Sequence, residues 1–190
     1  MRTLRTARLR LTPVTVQNAG ALWRVLQGPD LRHYQDLPNV GEEAFAKMVA
    51  KRPRRLHAAA TGRFEWLIYL GGVRSALGWV SLRIADKQPR GGEIGYSVLP
   101  DFRDRGIATE AVRALITEGF ESGGLARVSA YCVPANAASR RVLKTLGFRD
   151  AGLVHHGASV GGRPVDVLHH TLRKQEWTQS ANSTVIPASA

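Results

Sequence analysis

The sequence predicts a single α/β or α+β domain in which helices cover a mixed sheet. Segments in which apolar residues alternate with period two are interleaved with segments of helical period along the whole chain. A length of 190 residues suits one well-buried domain. The hydrophobic content of 44% is typical of a globular chain. Strands mixed with helices in this way favour a layered domain built on one sheet.

The first part of the chain is expected to supply one strand and two helices. Alternation predicts a strand over residues 8–14, which ends near Pro13. Thr15 is a suitable N-cap for a helix that continues to about Gln27. Acidic residues in the first turn favour a second helix over residues 41–51, because the helix dipole stabilises negative charge there.

The rest of the domain is expected to alternate strands and helices. The predicted strands are 64–70, 76–84, 93–98 and 126–133, and the predicted helices are 108–122 and 136–146. A final hairpin is expected over 148–155 and 165–172, with Gly157, Gly161 and Gly162 in its loop. We expect one domain over residues 1–177, followed by a polar, patternless and disordered tail over 178–190.

Charge and cysteine content limit the classes of partner. The net charge of +12 attracts polyanions, but the arginines are scattered and aromatic residues make up only 7%, so no specific nucleic-acid module is expected. No apolar run reaches the roughly 20 residues of a membrane span, and the basic N-terminus lacks the apolar segment of a signal peptide. Cys132 is the only cysteine, which excludes an intrachain disulfide and agrees with a reducing cytoplasm.

The stretch 93–108 has the pattern of an anion site. A strand ended by Pro100 leads through a short cationic loop into a helix start, where free N–H groups and the helix dipole favour negative charge. Gly106 would let a ligand approach the backbone closely. The loop could equally be a simple turn in which Arg103 and Arg105 are solvated. Neither common phosphate-loop motif is present.

A second group of polar residues opens the helix over 136–146. Ser139 lies on its expected inward stripe between apolar residues, and a buried hydroxyl needs a partner. It could bond to its own helix backbone, and Asn136 could be only an N-cap. Asn136, Ser139 and Arg140 nevertheless share the first turn and a half, directly after a strand.

Four segments resemble the Gcn5-related N-acetyltransferase superfamily (GNAT). R-x-x-G-x-A at 103–108 resembles its acetyl-CoA pyrophosphate loop, and N-x-x-S-R followed by L-G-F at 136–148 resembles its next conserved block. The entry strand T-A-R-L-R-L-T-P-V at 6–14, with E-I-G-Y-S-V-L-P at 93–100 and D-V-L-H-H-T-L-R-K-Q-E-W at 166–177, is similar to the ribosomal-protein N-terminal (Rim-type) branch. The resemblance implies a mostly antiparallel sheet of about seven strands flanked by about four helices.

The resemblance also implies roles for particular residues. Backbone amides of one loop would hold the pyrophosphate of acetyl-CoA, namely those of Arg103, Asp104, Arg105, Gly106, Ile107, Ala108 and Thr109. The strand at Val98 and Leu99 would pair with the pantetheine arm, which Asn136 would contact from the other side. Arg140, or else Arg141 or Lys144, would lie near the adenosine phosphates. Ser139 would give a proton to the departing thiolate, since no tyrosine occupies the position at which many members use one.

The base and the acceptor are less defined by the sequence. Glu93 is a candidate base, and it could equally be a surface carboxylate at a strand end. Asp166 is a weaker candidate. In each of the pairs His155–His156 and His169–His170 at most one side chain can face the cleft. These histidines lack Cys or carboxylate partners at ligand spacing, so we expect no metal.

The resemblance implies an acyltransferase that uses acetyl-CoA as co-substrate and acts on a primary amine in a ternary complex. The acceptor expected first is a protein N-terminal α-amine, in particular that of a ribosomal protein. A small amine such as a polyamine, amino acid or antibiotic is an alternative, and so is a non-catalytic CoA-binding or ribosome-associated module. The protein would be cytoplasmic, without a membrane partner, and a monomer or homodimer.

Overall fold

A single eight-stranded sheet forms the centre of the molecule. The computed structural model describes residues 1–182 except 29, 30, 32, 35, 37 and 38, and the side chains only as far as residue 178. The strands are β1 (Leu4–Arg5), β2 (Leu9–Pro13), β3 (Gly62–Leu70), β4 (Gly78–Ile84), β5 (Gly91–Val98), β6 (Arg127–Cys132), β7 (Arg149–Val160) and β8 (Arg163–Arg173). Their order in the sheet is β1-β2-β3-β4-β5-β6-β8-β7. Among the described strands, only β5 and β6 pair in parallel, so the predicted mixed, mostly antiparallel sheet is confirmed, with one strand more than expected.

Five α-helices accompany the sheet in the described part of the chain. They are α1 (Ala19–Leu26), α2 (Glu42–Ala50), α3 (Ile107–Glu121), α4 (Ala137–Thr145) and α5 (Lys174–Asn182). Short 3-10 helices at Val16–Asn18 and Pro100–Phe102 lead towards α1 and α3. None of the described helices is long and apolar enough to cross a membrane.

The structure differs from the sequence expectations at three places. Strand β1 was not predicted, because two residues are too short to show alternation. Gly157 lies inside β7 and not in the hairpin loop, since the strands extend to a tight turn at Gly161 and Gly162, whose φ angles are 59° and 73°. Residues 178–182 were expected to be disordered, but they form the end of α5. Trp177 in this helix packs against Phe120. Residues 183–190 lie outside the described residues.

The two faces of the sheet are covered unequally. The first face carries alternate side chains such as Phe64, Leu82, Ile94 and Val128, which form one core with α3 and α4. On the second face, α1 and α2 pack only over the end that carries Leu67 and Trp79. The remainder of the second face is largely polar: on β4 Ser81 is buried and Arg83 is exposed, and the side chains on β5 and β6 are half-buried to exposed.

Strands β5 and β6 separate soon after they begin to pair. Their register covers only Gly91–Glu93 against Arg127–Ser129. Leu99 N–H donates to the Leu77 carbonyl at 2.8 Å on the β4 side. Because backbone groups in an antiparallel ladder alternate in direction, the N–H and C=O groups of Ile94, Tyr96 and Val98 point to the side that β6 has left. A split with an unpaired strand edge therefore opens between β5 and β6.

Candidate active site

The loop after β5 gathers free amide groups at the start of α3. Among the described residues, no backbone carbonyl accepts a hydrogen bond from the N–H groups of residues 104–109, and the first bonded amide of the helix is that of Glu110, 3.0 Å from the Gly106 carbonyl. Asp104 and Gly106 both have left-handed φ angles, 57° and 73°. Successive amides that point into one concavity bind anions, and the dipole of the 15-residue α3 adds to this preference.

The two loop arginines are held in place by local contacts. Arg103 Nε donates to the Val98 carbonyl at 3.0 Å, so this side chain turns back over the end of β5. The Arg105 guanidinium lies 5.7 Å from the centre of the Phe102 ring. Both residues are exposed at the loop that carries the free amides. Their positive charge therefore adds to the attraction for an anion.

An ion pair from Arg8, the residue that directly precedes β2, braces this loop. Arg8 Nη2 lies 2.7 Å from Glu110 Oε2 and donates to the Arg105 carbonyl at 3.1 Å. The Thr6 hydroxyl donates to Glu110 Oε1 at 2.6 Å. Glu110 would otherwise place an uncompensated negative charge in the first turn of α3, beside the anion site. Arg8 neutralises it and fixes the loop, a role that sequence reasoning did not assign.

Ser139 lies beside a tyrosine at the split between the strands. Its Oγ is 2.9 Å from the hydroxyl oxygen of Tyr96, and the Tyr96 hydroxyl also lies 3.2 Å from the Ser139 carbonyl, to which it can donate. Asn136 caps α4 and accepts a hydrogen bond from Ser139 N–H at 3.0 Å. Burial raises the pKa of Tyr96 well above its ordinary value, against the opposing effect of the Ser139 hydrogen bond, so the phenol keeps its proton. The pair can therefore donate a proton.

Tyr96 is not among the site residues expected from the sequence. The sequence has no tyrosine at the position where many family members use one as the proton donor. Tyr96 stands on β5 at an inward position of the alternation, which a core residue would also occupy. Only the packing of α4 over β5 brings its hydroxyl to Ser139. Cys132 is buried close by, and burial raises the pKa of its thiol while a hydrogen bond with Ser139 acts in the opposite sense.

The other predicted site residues are distributed around the split. Leu99 uses its amide in bonding to β4, whereas the N–H of Val98 points into the split. Arg140 is exposed on α4 and reaches the Pro134 carbonyl at 3.5 Å. Ile107 is buried, and Ala108 and Thr109 are half-buried in the first turn of α3.

Glu93 is not brought together with Ser139. It lies on the second face of the sheet, since residues 93 and 96 of one strand point to opposite faces. Its Oε2 is 2.5 Å from Arg83 Nη2, and its side chain is 38% exposed. Glu93 thus faces the open part of the second face, whereas Ser139 and Tyr96 lie on the first.

The histidine pairs divide between the faces as alternation requires. His169 Nε2 lies 3.1 Å from the Ser129 hydroxyl, and its ring stacks on Tyr131 with centroids 4.7 Å apart. His170 opposes Ala130 on the buried face. Burial lowers the pKa of both imidazoles, so they are neutral near pH 7. His155 and Asp166 form an exposed pair at 3.0 Å, and no cluster of possible metal ligands occurs in the part of the chain that the structure describes.

A loop of free amides, a split between parallel strands and a hydroxyl pair beside that split lie together, an arrangement that suits a phosphate-bearing group donor. The chain belongs to the acetyltransferase (GNAT) family, whose model matches residues 8–149. It is therefore an acyltransferase, as the sequence resemblance indicated.

Known proteins of similar sequence and structure agree with this family. The chain is 37% identical over 168 residues to YdaF of Bacillus subtilis, covering 88% of this chain and 86% of that protein, whose name assigns it provisionally to the ribosomal N-acetyltransferases. Its fold is similar to that of the ribosomal-protein-S5-alanine acetyltransferase from Vibrio fischeri (TM-score 0.80, 17% identity, 93% and 99% of the two chains). It is equally similar to the ribosomal L7/L12 α-N-protein acetyltransferase RimL in complex with coenzyme A (TM-score 0.80, 20% identity, 92% and 99%).

The Glu110 brace predicts a pH dependence of stability. Although burial acts to raise it, hydrogen bonds from Thr6 and Arg8 hold the pKa of Glu110 below its ordinary value. A carboxylate with a lowered pKa in the folded state stabilises the fold above its unfolded pKa, and this stabilisation is lost as the pH falls through the folded pKa. Urea unfolding of Glu110→Gln should therefore show lower stability at pH 7 and a shallower loss of stability below about pH 4.5 than the wild type.

Glu43→Gln is the matched control for this measurement. Glu43 also lies in the first turn of a helix and pairs with Lys47 at 2.7 Å, but its side chain is 85% exposed. Exposed pairs contribute little to stability, so this variant should follow the wild-type curve. An identical pH profile for Glu110→Gln and Glu43→Gln would contradict the brace.

Proposed function

We propose that this protein transfers the acetyl group of acetyl-CoA to the N-terminal α-amine of a protein, and that the acceptor is a ribosomal protein. The observation that supports acetyl-CoA as the acetyl donor is the run of free amides over residues 104–109. These amides lie where the split between β5 and β6 opens. Such amides fit the pyrophosphate of acetyl-CoA. The names of similar proteins, including YdaF, support a ribosomal acceptor.

The residues around the split fit the rest of the donor. The exposed edge at Val98 can bond to the amides of a pantetheine arm, in the manner of an added strand. Asn136 lies on the opposite wall, at the start of α4. Arg140 is exposed on the same helix, where it can meet the adenosine phosphates.

The reaction is a direct attack in a ternary complex. The neutral amine forms a C–N bond with the thioester carbonyl, the C–S bond breaks, and the thiolate takes a proton from Ser139. The Val98 amide is the donor we assign to the developing oxyanion. Tyr96 can replace the proton of Ser139, because either hydroxyl of the pair can be the donor, and a proton from solvent then restores the phenol before the next turnover.

The acceptor amine must lose protons to a base. We propose Glu93 for this role, directly or through water, because it faces the open part of the second sheet face. To accept a proton, the Glu93 carboxylate would have to give up part of its ion pair with Arg83. His169 stands on the same face with a neutral imidazole and is the competing candidate. The open second face of the sheet suits the end of a polypeptide as the acceptor. We also propose that the reaction takes place in the cytoplasm.

Acetylation of a peptide panel tests the acceptor. We expect release of free CoA with peptides that carry the first residues of ribosomal proteins, and no release when the same peptides have blocked N-termini. Mass spectrometry should place the acetyl group on the α-amine. Turnover confined to polyamines, amino acids or antibiotics would favour the small-amine alternative. Tight binding of acetyl-CoA without turnover of any amine would leave only a CoA-binding module.

Substitution of the hydroxyl pair tests the proton donor. Ser139→Ala should lower kcat on the order of 10²-fold, as expected for loss of a general acid, with little change in affinity for acetyl-CoA. Tyr96→Phe should have a smaller effect, because Ser139 still holds a proton. An unchanged kcat in Ser139→Ala would remove this residue from the mechanism.

Substitution of Gly106 tests the pyrophosphate loop. The φ angle of 73° is unfavourable for a β-branched residue, so Gly106→Val should distort the free amides and abolish detectable binding of acetyl-CoA by calorimetry. Gly41→Val is the control, since Gly41 caps α2 with a φ of −67° and has open space around it. Normal binding in Gly106→Val would exclude this loop as the pyrophosphate site.

A further inference from the structure

The uncovered part of the second sheet face carries a group of arginines that the reaction does not use. We infer that these arginines bind acidic residues that follow the N-terminus of the acceptor protein, so that the enzyme prefers acidic N-terminal segments. This inference rests on the proposed function, because it concerns the same acceptor. The cationic patch consists of Arg52, Arg63, Arg83 and Arg127.

Three of the four arginines are brought together by the register of the neighbouring strands β3 to β6, and Arg52 joins them from the segment after α2. Arg63 on β3 stands directly opposite Arg83 on β4, and Arg83 stands opposite Glu93 on β5. Arg127 on β6 is paired with Gly91, two residues from Glu93 on the same face. The side chains of Arg63 and Arg83 are 48% and 58% exposed, and Arg127 is also exposed.

Positive charge is in excess within the patch. Glu93 pairs with Arg83 at 2.5 Å. Buried Glu65 serves two arginines, as it forms an ion pair with Arg52 and lies 3.9 Å from Arg63. Four guanidinium groups thus share two carboxylates.

Part of this arrangement is unfavourable for the fold itself. Like charges directly opposite each other on adjacent strands repel, and Arg63 and Arg83 are placed in this way. Burial, and after it the positive charge of Arg83, lowers the pKa of Arg63. An anionic partner would relieve this repulsion, and it could reach Arg63, whose side chain is about half exposed, and Arg127, which is exposed.

The patch lies within reach of the reaction centre. Glu93 and Gly91 precede Tyr96 by three and five residues on β5, which corresponds to about 10 to 17 Å at roughly 3.3 Å per residue. An extended acceptor whose amine reaches the split would therefore place its third to sixth residues, approximately, over the patch. These are the positions at which we expect Asp or Glu.

A nucleic acid is the less favoured occupant. Strong binding of a duplex backbone commonly needs about six to ten phosphate contacts, whereas this patch offers four arginines, of which Arg52, Arg63 and Arg83 already share two carboxylates. A short acidic segment matches that smaller number. Binding of such a segment would also select acceptor proteins by the charge of the residues that follow their N-terminal amine.

Two synthetic peptides test the inference. They share their first two residues and differ only at positions three to six, which are Glu in one and Gln in the other. With wild-type protein at low salt we expect kcat/KM to be roughly tenfold or more higher for the acidic peptide. The ratio should fall towards one as salt is raised, since screening weakens interactions between exposed charges.

The variants compare loss of patch charge with loss of charge elsewhere. The double variant Arg63→Gln/Arg127→Gln should reduce the ratio of kcat/KM for the acidic peptide to kcat/KM for the neutral peptide to near one. This ratio does not depend on the fraction of protein that is folded, because both peptides are measured with the same sample. Arg74→Gln is the control, because Arg74 is exposed in the turn between β3 and β4 at the far end of these strands. It should keep the wild-type ratio.

The outcomes separate this inference from the proposed function. Equal kcat/KM for both peptides with wild-type protein, or a ratio unchanged in the double variant, would overturn the acidic preference while α-amine acetylation stands. Turnover of neither peptide, nor of the wider panel, would count against the proposed function itself. Binding of an RNA oligomer that depends on Arg63 and Arg127, without a preference for the acidic peptide, would assign the patch to nucleic acid and also overturn the inference.

Discussion

The short parallel pairing between β5 and β6 is the constraint on which the rest of the site depends. Only Gly91–Glu93 pair with Arg127–Ser129, after which the strands part. A parallel pair requires a crossover connection, and here the crossover is α3, which begins immediately above the split. One topological feature therefore provides both an unpaired strand edge and a helix start with free amides.

The walls of the split are fixed relative to each other by polar contacts as well as by packing. Tyr96 reaches from β5 to Ser139 on α4, and Arg103 bonds back to the Val98 carbonyl. Each contact uses a side chain on one element to satisfy a group on another, so the site is assembled only when the helices have packed on the sheet. Arg8 on the far side completes the anion loop by compensating Glu110.

The unequal covering of the sheet separates two tasks. The Tyr96–Ser139 hydroxyl pair lies on the first face, beside the core formed with α3 and α4, where burial raises the pKa of Tyr96 and keeps it protonated. The second face is open beyond α1 and α2 and carries Glu93, His169 and the cationic patch. A donor held in the split would be accessible to an acceptor from the second face, which explains why acid and base candidates occur on opposite sides of β5.

The order of most strands and helices, the helix start after β5 and the family could all be predicted from the amino-acid sequence. These features depend on local patterns: alternation, helical period, and the R-x-x-G-x-A and N-x-x-S-R motifs. Three features became evident only in the folded chain: Tyr96 contacts Ser139, Glu93 faces away from both, and Arg8 pairs with Glu110. Such contacts join residues far apart in the chain, and their geometry follows from strand register and helix packing, which no local pattern encodes. The same reason explains why arginines scattered along the sequence gather into one patch only when the strands are in register.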